Sequence, residues 1–300
     1  MPLEPLYSKL LAQLTAGIAL SPDLPDETFD ATLRALWQAA AGTPCSAHQA
    51  RELPLQDLTD LQSETLTQLV EERISGVPLA HLTGRVSFMG LELLAEPGVL
   101  IPRPETEILG NAVVSLAREL CATRDSILIV EIGCGSGNLA CGIAVRVPEV
   151  RIISIDVSPE CVELTRKNVQ LFRIDERVTV LLGDLFLPLK GRGIEETVDI
   201  VVSNPPYIPS GKLATDHSRL VVNEPREAFD GGPFGFAIHN RLIKESIDFL
   251  KPGGTLMFEF GLGQDRQVGT LFARSEGYEP VQFAADAAGR NRIALAKKRY

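Results

Sequence analysis

Ile127-Leu128-Ile129-Val130-Glu131-Ile132 runs without a break into Gly133-Cys134-Gly135-Ser136-Gly137-Asn138, and a helical pattern of small and apolar residues follows through Ala144. Six residues that are apolar on both faces except for Glu131 predict a strand covered from both sides. Four more short apolar runs, at 151–155, 178–182, 198–202 and 255–260, are each followed by a helical pattern. Strands of this type alternating with helices predict an α/β fold around a doubly wound, mainly parallel sheet. Ligands of such sheets lie beyond the carboxyl ends of the strands, near the point where strand order reverses. The residues that close each strand are therefore the ones to read for chemistry.

Upstream, Leu-rich helical periodicity at 6–20, 28–41 and 61–74, punctuated by Pro and Gly, predicts a small helical bundle over residues 1–80. From 81 to 105, Gly84, Gly90, Pro97, Gly98, Pro102 and Pro104 interrupt β-leaning pieces at 86–89 and 99–101, which reads as a β-hairpin linker. A helix from 105 to about 120 then opens a sheet domain that fills residues 106–300.

The 300 residues are 45% hydrophobic and 23% charged, enough for one large core and a smaller one. No apolar run approaches the roughly 18 residues that span a bilayer. Met1-Pro2-Leu3-Glu4 lacks the basic and then apolar start of a signal peptide, so a cytoplasmic chain with no membrane partner is expected. Residues 1–80 carry four basic and eleven acidic residues, a net −7 out of −10 for the whole chain. An acidic protein gains nothing from phosphate neutralisation, so direct nucleic-acid binding is not expected and a basic protein partner fits better. Cys45, Cys121, Cys134, Cys141 and Cys161 are odd in number and contain no C-x-x-C pair, which predicts reduced, mostly buried thiols. His48, His81, His217 and His239 are scattered, and no metal is expected.

The glycine turn is spaced G-x-G-x-G, with Asn138 where the dinucleotide fingerprint has its last glycine. Glycines at 133, 135 and 137 allow a sharp turn and close approach of backbone to a ligand, with Cys134 between them. Asp156 closes the second strand, where a carboxylate accepts both ribose hydroxyls of NAD or of S-adenosylmethionine. Asp184 closes the third in Gly183-Asp184-Leu185-Phe186, placed to accept from an adenine amino group under Leu185 or Phe186. Taken singly, each Asp reads equally as a helix cap or turn residue. Glu131, Asp156 and Asp184 together around one turn suit a ligand bearing ammonium and sulfonium charges better than a pyrophosphate, since no Lys or Arg stands beside the glycines.

The fourth strand delivers Ser203-Asn204-Pro205-Pro206-Tyr207 to the same edge. Asn-Pro and Pro-Pro are ordinary turn dipeptides, but their donor count is unusual. Pro205 and Pro206 have no N–H and hold the residue before each in extended geometry, so the backbone offers carbonyls without competing donors. Asn204 adds a side-chain oxygen and Tyr207 a flat face. Two acceptors beside an aromatic plane are complementary to an –NH2 on a conjugated group, a carboxamide or the amino group of adenine or cytosine. Bonds from its hydrogens to Asn204 and the Pro205 carbonyl orient such a nitrogen and favour the positive charge that develops when it attacks a methyl group.

These residues resemble the amino-methyltransferase class of S-adenosylmethionine-dependent enzymes, whose signature is Asn or Asp before Pro-Pro-Tyr or Pro-Pro-Phe. Gly76-Val77-Pro78-Leu79, Phe88-Met89-Gly90, Val99-Leu100-Ile101-Pro102-Arg103-Pro104-Glu105-Thr106-Glu107, 203–209, Glu224-Pro225-Arg226-Glu227-Ala228-Phe229 and Asp286-Ala287-Ala288-Gly289-Arg290-Asn291-Arg292 narrow the resemblance. Together they are similar to the bacterial peptide chain release factor glutamine methyltransferases of the HemK/PrmC type, over nearly the whole chain. The resemblance implies a seven-stranded Rossmann-like sheet and N5-methylation of the glutamine in the Gly-Gly-Gln loop of class I release factors. It implies S-adenosylmethionine over Glu131, Gly133, Cys134, Gly135, Gly137, Asp156, Asp184, Leu185 and Asn204. The glutamine amide would lie on Asn204, Pro205 and Tyr207, with Arg103 orienting the loop or the cofactor carboxylate, or else serving as a linker ion pair. Departures are mild: Val130-Glu131-Ile132-Gly133-Cys134-Gly135 for Leu-Asp-Leu-Gly-Thr-Gly, Leu79-Ala80-His81-Leu82 for Leu-Gln-Tyr-Ile, Phe229 for Leu and Asn291 for Asp.

A DNA adenine methyltransferase shares the tetrapeptide but wants a basic cleft, which the charge does not provide. A ribosomal-protein glutamine methyltransferase or another amide or amine N-methyltransferase is a closer rival. A non-enzymatic binding scaffold predicts a disrupted Asn-Pro-Pro-Tyr, and here it is intact.

Overall fold

The computed structural model describes residues 3–213 and 223–300, and these form two compact units, the first made of the described residues up to 97 with 101–104 and the second of 98–100 with the described residues from 105 onward. In unit 1, helices α1 (Leu3–Gly17), α2 (Phe29–Ala40), α3 (Ala47–Ala50), α4 (Asp60–Ile74) and α5 (Leu79–Thr83) precede the antiparallel strands β1 (Arg85–Phe88) and β2 (Leu91–Leu94). Leu10, Leu14, Leu33, Leu36, Trp37 and Leu66 bury completely at its centre. Thr28, Ser46 and Thr59 cap α2, α3 and α4, each side chain accepting from a first-turn amide. The first helix ends at Gly17, three residues short of expectation, where the glycine allows a close approach to Ile74. Helix α3 is too short to leave a periodicity in the sequence.

The hairpin differs from expectation in its second strand. Met89 and Gly90, at φ 49° and 68°, make a two-residue turn, so 91–94 rather than 99–101 returns against β1. Glu92 on β2 accepts from both the backbone amide and the hydroxyl of Ser46, tying the hairpin to the helices of its own unit.

Unit 2 contains α6 (Thr106–Cys121), β3 (Ile127–Ile132), α7 (Asn138–Arg146), β4 (Val150–Asp156), α8 (Pro159–Leu171), β5 (Val178–Leu182), β6 (Val198–Ser203), α9 (Ser210–Leu213), α10 (Ala237–Glu245), β7 (Leu250–Glu259), α11 (Asp265–Ala273), β8 (Gln282–Ala285) and β9 (Asn291–Lys297). Its seven-stranded sheet has the order β5-β4-β3-β6-β7-β9-β8; β9 runs antiparallel to both neighbours and the other pairs are parallel. Strand order reverses at β3, between β4 and β6. Ile132 pairs with both Ile155 and Ser203, and Ser203 with Phe258. Gly133, Asp156, Asn204 and Glu259 therefore leave four adjacent strands at one level, the edge where a ligand is expected.

His239 on α10 is fully buried against Phe258, and its Nε2 donates to the Glu259 carbonyl at 3.1 Å while Nδ1 has no partner. Burial pushes its pKa from 6.5 down to about 4. Between those values the unfolded chain binds the extra proton, so this site contributes about 3 kcal/mol at neutral pH that is lost as pH falls through the window. Buried Glu131 and Glu259, both pushed up to about 7, titrate in the opposite sense. The stability difference between the wild-type protein and His239→Gln, followed by urea unfolding from pH 7 to 4, is expected to shrink as the pH falls. A constant difference would remove His239 as its source.

Candidate active site

Gly133, Gly135 and Gly137 all take the left-handed conformation, at φ 71°, 55° and 76°. A Cβ at 133 or 135 would meet nothing within 4 Å, whereas one at 137 would lie 2.8 Å from Thr165 Cγ2 on α8. The first two glycines thus leave an open edge, and the third lets two helices close up. The amides of Gly133 and Cys134 donate to the Ile155 carbonyl at 2.8 and 3.1 Å, fastening the turn to β4. Cys134 lies between the first two glycines, its thiol buried and accepting from the Thr165 hydroxyl at 3.3 Å. Its backbone carbonyl takes the Gly137 amide, so Cys134 serves to hold the turn.

Glu131 is 1% exposed; Oε2 accepts from Ser154 Oγ at 2.7 Å, and Oε1 is left without a well-formed partner. Burial pushes its carboxyl up to about 7 against the Ser154 hydroxyl and the Ala140 amide, which favour the charge. Asp156 is committed to structure as well as available to a ligand: Oδ2 accepts from the Gly135 amide at 2.9 Å and Oδ1 from the Ser158 amide at 3.0 Å. Burial raises its pKa, opposed by those two amides. Asp184 is half-exposed and forms a two-pronged ion pair with Arg241 on α10, 2.9 Å at each oxygen. Any adenine amino group expected there meets a carboxylate already engaged by a guanidinium. Of the two residues expected to cover the ring, Phe186 is locked in the core, stacked on Phe249 at 5.2 Å between centroids. Leu185, which follows Asp184 at φ 45°, is also buried and packs in the same apolar cluster as Phe186.

At the end of β6, Ser203 Oγ donates to the Ile132 carbonyl at 2.8 Å, joining the two strands that carry the site. The loop that follows is braced from behind. Ile208 pairs with the 229–231 segment, and Gln264 Nε2 donates to the Tyr207 carbonyl at 3.0 Å. Gly235 packs so closely that a Cβ there would lie 2.5 Å from that carbonyl. No donor among the described residues reaches the Pro205 carbonyl.

Sequence reasoning missed the network behind Asn204. Its Nδ2 donates to Thr106 Oγ1 at 2.9 Å, and Thr106 Oγ1 donates to Glu259 Oε2 at 2.8 Å. Glu259 Oε1 accepts from Tyr207 Oη at 3.3 Å and from Arg292 Nη2 at 3.2 Å, and Arg292 also faces Glu105 at 3.6 Å. Glu259 is 1% exposed; burial pushes its carboxyl up to about 7, opposed by Thr106 and Arg292. Burial also pushes the pKa of Tyr207 up, so it stays a neutral phenol. Thr106 and Arg292 sit in motifs quoted above without a role, and Glu259 has the signal that flagged Glu131, an acid closing an apolar strand. With Nδ2 committed to Thr106, Asn204 presents Oδ1 as its free acceptor.

Arg103 belongs to unit 1, where burial raises the pKa of the Glu27 carboxyl and Arg73, at 3.1 Å, and then Arg103 oppose that rise. Among the described residues no group of three or more His, Cys, Asp or Glu is placed to hold a metal, and no helix is long and apolar enough to cross a membrane. His217 lies outside the described residues.

Comparison with known proteins identifies the chain. The family model for the methyltransferase small domain matches residues 110–234. A release factor glutamine methyltransferase of Moorella thermoacetica is 35% identical over 301 aligned residues, covering 100% of this chain and 99% of that protein. The chain belongs to the release factor glutamine methyltransferase family. A second family member, from Caulobacter vibrioides, is 33% identical and covers 82% of each chain. The fold extends further than the family: the METTL16 methyltransferase domain superposes with a TM-score of 0.53 at 17% identity, covering 71% of this chain and 90% of that one.

Proposed function

We propose that this release factor glutamine methyltransferase family member methylates N5 of the glutamine in the Gly-Gly-Gln loop of class I release factors, using S-adenosylmethionine. The observation that carries the reading is the Asn204 amide, pinned through Nδ2 so that Oδ1 and the Pro205 carbonyl remain as paired acceptors. The residues at the glycine turn fit the cofactor: an open backbone edge at Gly133 and Gly135, a buried carboxylate oxygen of Glu131 lacking a well-formed partner, and Asp156 at the switch point. Asp184 and Leu185 would border the adenine, and Asp156 the ribose. When bound, S-adenosylmethionine supplies an electrophilic methyl group on a sulfonium.

The chain's own residues then have to make a poor nucleophile reactive. An amide nitrogen is weak because its lone pair is delocalised into the carbonyl. Asn204 Oδ1 and the Pro205 carbonyl take its two hydrogens, fixing the lone-pair direction and stabilising the positive charge that grows at nitrogen. Pro205 and Pro206 stiffen the loop, and Tyr207, neutral and held by Glu259, offers a flat face rather than a base. The proton leaves after transfer, to water or through the same contacts. The acidic N-terminal unit would bear on the protein partner. This reading puts the enzyme in the cytoplasm. Mass spectrometry of purified release factor incubated with the enzyme and S-adenosylmethionine is expected to show one added methyl at the loop glutamine. An unmodified loop, with methyl transferred to a ribosomal protein instead, would overturn the substrate assignment.

A further inference from the structure

The Asn204 amide has two possible orientations, and its shape alone does not choose between them. One turns the acceptor toward the substrate, the other the donor. The choice is made behind it. The Thr106 hydroxyl has a single hydrogen, and a charged Glu259 can only accept, so that hydrogen points to Glu259 Oε2. Thr106 then shows Asn204 a lone pair, which calls for the NH2 edge of Asn204, at 2.9 Å. At the other carboxylate oxygen, Arg292 Nη2 can only donate, and Tyr207 Oη donates alongside it. Arg292 in turn faces Glu105, completing the charged groups around Glu259. All of Thr106, Glu259 and Arg292 are buried, so bulk water does not supply substitutes.

We infer that Glu259, acting through Thr106, is a positioning residue that sets which edge of the Asn204 amide faces the substrate. The inference deepens the proposed function and rests on the reading of Asn204 as the amide acceptor. Its sharpest consequence concerns Glu259→Gln, which changes neither size nor shape. Arg292 keeps the new side chain's oxygen on its own side, so the new NH2 faces Thr106. Thr106 must now accept from it and turn its hydrogen toward Asn204, and Asn204 answers by rotating its oxygen inward. The NH2 of Asn204 then meets the NH2 of the substrate, donor against donor.

Neutron diffraction from deuterated crystals grown well above neutral pH reads this relay directly and needs no substrate. The wild-type protein is expected to carry the Thr106 deuterium on the Glu259 side, and Glu259→Gln to carry it on the Asn204 side with the Asn204 amide reversed. The same orientation in both proteins would overturn the inference. In solution well above neutral pH, with purified release factor as acceptor, Glu259→Gln is expected to lower kcat by at least ~10-fold with the dissociation constant for S-adenosylmethionine and the melting temperature little changed. Thr106→Val is expected to lower kcat similarly and Thr106→Ser to restore it; equal loss in both would also count against the relay. Asn204→Ala separates the two levels. If it leaves turnover intact, the acceptor role of Asn204 fails; if it abolishes turnover while Glu259→Gln does not, only the relay fails.

Discussion

Asn204→Ala is expected to reduce the turnover of methyl transfer by about 10²- to 10³-fold, while the dissociation constant for S-adenosylmethionine stays within about threefold. The asymmetry follows from where Asn204 sits. Its Nδ2 is bonded to Thr106 and contributes to architecture, but Oδ1 faces away from that network. An acceptor aimed at a nitrogen that becomes positive only during transfer contributes to the transition state more than to either bound ligand. Truncation removes that term and leaves the Thr106 to Glu259 bond in place. Radiolabelled methyl transfer under single turnover, paired with calorimetric titration of the cofactor, makes the measurement. Equal losses in binding and turnover would show that Asn204 belongs to the cofactor site alone.

Asp156→Ala is expected to act the other way, weakening S-adenosylmethionine binding by about 100-fold with a smaller loss of kcat at saturation. Two effects combine. A ribose acceptor disappears, and the Gly135 and Ser158 amides lose the carboxylate that now receives them at 2.9 and 3.0 Å. A cofactor analogue lacking the ribose hydroxyls separates the two. If Asp156 receives the ribose, the mutation costs the analogue much less affinity than it costs the natural cofactor. If it only anchors the turn, both lose the same factor.

The main strands of the sheet were legible because burial on both faces leaves a local signature. The runs at 127–132 and 178–182 coincide with β3 and β5. Strands β8 and β9 left no such mark: β8 is only four residues with both ends exposed, and its pairing is antiparallel at the sheet edge. Strand β7 begins at Leu250, five residues before its legible part, because Pro252, Gly253 and Gly254 read as a break while the chain keeps pairing through an irregular register. The hairpin falls within the expected 81–105, but its turn left no sequence signal because Met89, a residue that rarely adopts positive φ, supplies half of it.

What the chain order determined by itself is the set of groups at the ends of β3, β4, β5 and β6: the three glycines, Glu131, Asp156, Asp184 and Asn204-Pro205-Pro206-Tyr207. These are neighbours along the chain or lie at the ends of apolar runs, and short-range periodicity and proline stereochemistry suffice to read them. Only the tertiary structure decided their partners. Thr106 meets Asn204 across 98 positions and Glu259 across 153, Arg241 reaches Asp184 across 57, and Leu185 and Phe186 both pack into the core. A hydrogen bond is decided within a few ångströms of space, and a sequence pattern constrains only the few residues that share a strand or a helical turn.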